Sequence, residues 1–171
     1  INFTTTTERD LVAPMRLRPP AIVEPVGIDF AEFESLPPRG AFRAAWPQLG
    51  DKKPLVLFLS RLSPQKGLDR LIPAFAQVAA ASPDAILAIV GPDYEKYEAT
   101  VKALVRQHNL DDRVVFTGML QGRRRIEALV DTDLFVLPSH HENFGIVVAE
   151  AMASATPVIV SREVNIWQDV V

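Results

Sequence analysis

From Leu55 onward, short and wholly apolar runs alternate with longer segments of helical period, and that alternation restricts the fold more than any single motif does. PLVLFLSRL (54–62), AILAIVG (85–91), RVVFTGML (113–120), LFVLPS (134–139) and PVIVS (157–161) read as strands buried on both faces. Between them Leu68, Leu71, Ile72, Phe75, Val78 and Ala79 recur at helical spacing, with Pro73 predicting a kink or a late start. YEKYEATVKALVRQHNL (94–110) is amphipathic, GRRRIEALVDT (122–132) is a short helix, and FGIVVAEAMASA (144–155) is apolar nearly all round, hence expected to be buried. Strands that alternate with helices and have two buried faces predict an α/β fold: a doubly wound parallel sheet with right-handed crossovers.

The first fifty or so residues have another texture. Pro14, Pro19, Pro20, Pro25, Pro37, Pro38 and Pro47 forbid long helices and central strands, so this region reads as a linker with short extended pieces. At 171 residues, 48 % apolar and 23 % charged, the chain has room for one well-buried core. A net charge of −3 gives no basic field for nucleic acid or an anionic membrane. The absence of cysteine excludes disulfides and thiolate metal sites and suits a cytosolic protein. No apolar run reaches the roughly 20 residues of a transmembrane segment. The first residue is Ile1 and the last, Val171, falls inside an apparent element, so the sequence reads as part of a longer protein.

Open α/β sheets bind ligands beyond the carboxyl ends of their strands. That rule directs attention to Ser60-Arg61, Gly91-Pro92, Gly118-Met119 and Ser139 through Gly145. Arg61 and Lys66, in SRLSPQKG, put two cations at a helix start, where free N–H groups and the helix dipole already favour an anion. A solvated charged turn is the alternative. Phe144-Gly145 opens the last helix, where glycine would let a ligand approach the backbone. Glu142 is free to accept hydrogen bonds from ligand hydroxyls, or is a plain loop carboxylate. Glu150 has Ile146, Val147 and Ala153 as helical neighbours, so its face is apolar. Either a buried arginine satisfies it or it meets the hydroxyls of a ligand, and the expectation is that the partner is the ligand.

Other features read as structural. Asp131-Thr132-Asp133 resembles a metal-binding D-x-D but precedes a parallel strand on the amino side of the sheet. Arg123-Arg124-Arg125 reads as a solvated helix face. His140 and His141 have no second cluster of ligands at metal spacing, so no metal is expected.

SRLSPQKGLDRLI, IVGPD, VVFTGML and LFVLPSHHENFGIVVAEAMASATPVIVS, in that order, resemble the C-terminal nucleotide-sugar-binding domain of the retaining glycosyltransferases of family 4 (group 1). The most specific part is the pair Glu142 and Glu150, with Phe144-Gly145 between them, combined with Arg61 and Lys66-Gly67. The resemblance implies a Rossmann-like sheet forming one half of a two-domain GT-B enzyme. Residues 1–50 would be the end of the acceptor domain, in INFTTTTERDL, and the interdomain linker, in VEPVGIDFAEF. Residues 51–171 would be the donor domain, lacking its C-terminal part.

What the resemblance implies for the site is specific. Arg61 and Lys66 would hold the diphosphate, and Glu142 would bind hydroxyls of the transferred sugar. Asn143, Phe144 and Gly145 would lie nearby with their backbone N–H groups, and Glu150 would bind the ribose. Gly91, Met119 and Leu120 would complete the donor site, the last two at the base. Transfer would retain configuration and use neither metal nor cofactor, to an acceptor such as a sugar, lipid-linked sugar or small glycoside. The setting would be cytoplasmic, with any membrane contact made through the missing acceptor domain. The chain alone would show little transferase activity. A non-catalytic nucleotide-binding or regulatory α/β module is the alternative. The chain departs from the family at Ser60 and Ala155, where glycine is usual, and at Val26, where asparagine is common; Ala155 is expected to affect packing.

Overall fold

The computed structural model describes residues 1–51 and 53–170. Val171, the residue read as lying inside an element, is outside that range. The chain opens with β1 (Asn2–Phe3) and α1 (Thr6–Val12), and β2 (Ile22–Val23) then pairs in parallel with β1. A five-residue helix, α2 (Ala41–Ala45), precedes the main sheet. The sheet comprises β3 (Leu55–Leu59), β4 (Ile86–Val90), β5 (Val114–Gly118), β6 (Leu134–Leu137) and β7 (Val158–Val160). The connecting helices are α3 (Leu68–Ala81), α4 (Glu98–Gln107), α5 (Arg123–Asp131) and α6 (Ile146–Ala153).

The strand order is β5-β4-β3-β6-β7 and every pairing is parallel. The chain runs outward from β3 to β5, then crosses back to build β6 and β7 on the other side. β3 and β6 are therefore neighbours at a topological switch point, the place where open α/β sheets bind their ligands. α3 packs against α4, and α5 against α6.

All five residues of β4 are buried, as a strand covered by helices on both faces requires. The core around it includes Leu55, Leu57, Phe58, Phe75 and Phe135, and extends back to Phe42 and Leu49. Those two lie before residue 50 yet pack with the sheet, and α2 rests on α5.

One local expectation is narrowed and two are corrected. α3 starts at Leu68, with Pro73 inside it, so there is no late start. Pro73 is the sixth residue of α3 and takes away the N–H that would reach Asp69. α4 starts at Glu98 rather than Tyr94, because Glu95 and Lys96 adopt positive φ and the Asp93 carboxylate accepts the Glu98 N–H at 2.9 Å. α6 is not covered all round: Ile146 and Met152 are exposed.

Candidate functional site

Four loops at the carboxyl rim are joined by backbone hydrogen bonds. The loops after β3 and β4 are tied by Leu62 N–H to Pro92 O (2.9 Å) and Tyr94 N–H to Leu62 O (3.1 Å). The loop after β6 reaches the turn after β3 through His140 N–H to Gln65 O (2.8 Å). It reaches the segment after β7 through Glu142 N–H to Glu163 O and Asn165 N–H to Glu142 O, both 3.0 Å. The rim is thus a framework of paired main chain, and the side chains above it are positioned rather than loose.

Gly91 ends β4 with φ 147°, and a Cβ there would lie 1.8 Å from the Ser60 carbonyl oxygen. Only glycine permits this approach of β4 to β3. Gly145 has φ 75° and caps α6, with Glu142 and Val164 side-chain atoms against the place a Cβ would take. The left-handed conformation turns the chain from the loop into the helix.

Arg61 is exposed, its guanidinium 5.1 Å from the centre of the Tyr94 ring, a cation–π distance. It lines a cavity of about 400 Å³ with Ser63, Pro64, Gln65, Tyr94 and Glu95. Lys66 is buried in the turn ahead of α3, and its ammonium contacts the Glu142 carboxylate over the switch point. Asn143 is exposed and Phe144 packs partly on the core. Met119 is exposed beyond β5, while Leu120 is half-buried against the core.

Glu150 lies on α6 at 7 % exposure. Its partner is in the chain: Arg125 of α5 approaches its carboxylate to 3.3 Å. The same guanidinium reaches Glu32, in the segment before α2, at 2.8 Å. This corrects the expectation of a carboxylate without an internal partner, and the reading of Arg125 as part of a solvated face. Burial raises the Glu150 carboxyl above its ordinary value of 4.5; Arg125 opposes that rise and Glu32 adds to it.

The D-x-D carboxylates are structural, as expected. Asp131 is buried and accepts the backbone N–H groups of Gly40 and Arg43, closing the N-terminus of α2. Asp133 accepts the Leu55 N–H at 2.9 Å and pairs with Arg43 at 3.3 Å and Arg39 at 3.0 Å. Among the described residues no three His, Asp or Glu side chains gather as metal ligands would. None of the described helices is long and apolar enough to cross a membrane.

The family profile for "Glycosyl transferases group 1" matches residues 44–171. The chain belongs to the group 1 glycosyltransferases. One relative is the GDP-mannose-dependent monoacylated alpha-(1-6)-phosphatidylinositol monomannoside mannosyltransferase of Corynebacterium glutamicum. It is 38 % identical over 144 residues, which cover 79 % of this chain and 36 % of the relative. The chain therefore spans little more than a third of that relative's length. Among solved structures, the sucrose-phosphate synthase of Thermosynechococcus elongatus aligns with a TM-score of 0.83 and 28 % identity, over 99 % of this chain and 42 % of that one. The Anabaena protein Alr3699/HepE, solved in complex with UDP and glucose, aligns at 0.80 and 25 %, over 93 % and 43 %. The α/β architecture of a GT-B glycosyltransferase domain expected from the sequence is therefore the one this group 1 chain adopts.

Two residues beside Glu150 escaped sequence reasoning. Arg125 stands three and four positions before the buried Ala128 and Leu129, so helical spacing already placed it on the inner face. The tract of three arginines obscured that. Glu32 carried no signal, because its contact depends on how the segment before α2 lies across α5.

Proposed function

We propose that the chain binds a nucleotide-diphosphate sugar and, together with a facing acceptor domain, transfers the sugar with retention of configuration. The observation that carries this reading is the pairing of Lys66 with Glu142 over the switch point, beside the exposed Arg61, whose guanidinium lies over the Tyr94 ring. A diphosphate entering between the loops would meet Arg61, Lys66 and the first N–H groups of α3. It would compete with Glu142 for the Lys66 ammonium. A Glu142 released in this way could accept hydrogen bonds from hydroxyls of the transferred sugar, with the backbone at Asn143, Phe144 and Gly145 close by. Gly91, Met119 and Leu120 would border the nucleotide, and Glu150 would accept from the ribose.

In the chemical step, negative charge accumulates on the departing diphosphate. Arg61 and Lys66 would stabilise that charge, a role donors already in place perform without reorganisation. The residues present supply this without a metal or cofactor. Names among the relatives support a nucleotide-sugar donor, and the acceptor is set by the facing domain. The 171-residue chain by itself would bind donor without transferring the sugar. The reading places the protein in the cytoplasm, with any membrane contact made by the acceptor domain.

Calorimetric titration of the chain with UDP, GDP and ADP tests this. One of the three should bind, and Arg61→Ala and Glu150→Ala should each weaken that binding by about tenfold or more, the loss of one or two charge-assisted hydrogen bonds. Binding of none, or binding indifferent to both substitutions, would sink the donor-site reading.

A further inference from the structure

Arg125 is held between two carboxylates from different parts of the chain. Glu150 belongs to α6, and Glu32 to the segment before α2. The guanidinium is 27 % exposed at its side chain, and its Nε is buried with no partner, so it has donor capacity neither acid fills. The charged groups facing Glu150 are Arg125 and Glu32 alone among the described residues. The strands beside α6, β6 and β7, contribute only apolar side chains.

We propose that Arg125 is a positioning residue for Glu150: its guanidinium sets the orientation and the charge of the carboxylate that donor hydroxyls meet, and Glu32 competes for the same cation. This rests on the donor-site reading above. A carboxylate buried to this degree needs a compensating cation to remain an acceptor for two hydroxyls. Arg125 Nη2 donates to Glu32 at 2.8 Å and lies 3.3 Å from Glu150 Oε1, so its charge bears on one of the two Glu150 oxygens. Because Glu32 shares the guanidinium, the seating of the segment before α2 becomes linked to nucleotide affinity. Arg125 and Glu32 therefore act on the Glu150 carboxylate in opposite senses.

The experiment measures affinity for UDP, GDP and ADP by calorimetry on the 171-residue chain, from about pH 8 down to the lowest pH at which all the chains stay folded. It compares wild type with Arg125→Met, Arg125→Lys, Glu32→Gln and Glu150→Gln. The Glu150→Gln arm carries the titration of the nucleotide phosphate and of all other groups. For the nucleotide that binds, Arg125→Met should lose affinity as pH falls, beginning at higher pH than wild type, by about tenfold per unit by which the edge moves. Arg125→Lys should restore most of the wild-type profile. Glu32→Gln should move the edge to lower pH.

An Arg125→Met chain that binds as well as or better than wild type across the range overturns the proposal and makes Arg125 an occupant that ribose must displace. An Arg125→Met loss that is uniform with pH and not rescued by lysine also overturns it, in favour of a packing role. Unchanged affinity in Glu150→Gln is a different failure, since it removes the ribose role of Glu150 itself.

Discussion

The Lys66 ammonium and the Glu142 carboxylate meet above the switch point between β3 and β6, though 76 positions separate them in the chain. Both side chains are largely withdrawn from water, at 10 % and 18 % exposure. Each is the other's compensation, so removing one leaves the other in a poorly solvated place.

It follows that Lys66→Met should destabilise the fold by about 1–3 kcal/mol, and Glu142→Gln by no more than that. The double substitution should cost at least about 1 kcal/mol less than the sum of the two. Urea unfolding of the four chains gives the coupling directly. Strict additivity would mean that the contact contributes nothing.

Asp131 should behave as a structural acid. Asp131→Ala removes the acceptor of two backbone N–H groups at the start of α2 and should cost about 2–4 kcal/mol. Phe42 and Leu49 would lose their hold on the core with it. The stability of wild type should be unchanged by millimolar Mg²⁺ or Mn²⁺ in the same unfolding assay.

Ala155 departs from the family at a position whose constraint is backbone conformation. Its φ is 57°, and it follows the last turn of α6. The bonds Ala155 N–H to Met152 O and Thr156 N–H to Ala151 O, both 2.9 Å, form a Schellman motif that ordinarily uses glycine at this place. The side chain is exposed, so the expected packing role is not found. Ala155→Gly should therefore raise stability by about 1 kcal/mol, an increase in melting temperature of a few degrees.

Glu150 gives a pH dependence of known sign. Burial holds its folded-state pKa above 4.5, so the folded chain binds this proton more tightly than the unfolded one does. Its contribution to stability is complete below the unfolded value and is lost as pH rises through the raised folded value. Relative to wild type, Glu150→Gln should therefore gain stability as pH rises across that window. Denaturant midpoints of both chains, compared at a series of pH values, provide the check; a flat difference would contradict it.

Strand and helix order and the carboxyl rim were legible in the sequence because each is written in neighbouring residues. Buried strands need unbroken apolar runs such as ILAIV, and amphipathic helices need their period. The D-x-D pair was read correctly because topology alone places it at the amino edge. The contacts of the side chains were another matter. Glu150 could be recognised as an acid on an apolar face, but its partner could not be chosen. That choice was made when the crossovers stacked α5 beside α6 and Glu32 reached the same guanidinium. Lys66 and Glu142 likewise became a pair only because the chain reverses direction after β5, which brings β6 next to β3. Local periodicity determines which segments are buried, whereas charge pairing depends on which loops the winding of the sheet brings within a few ångströms.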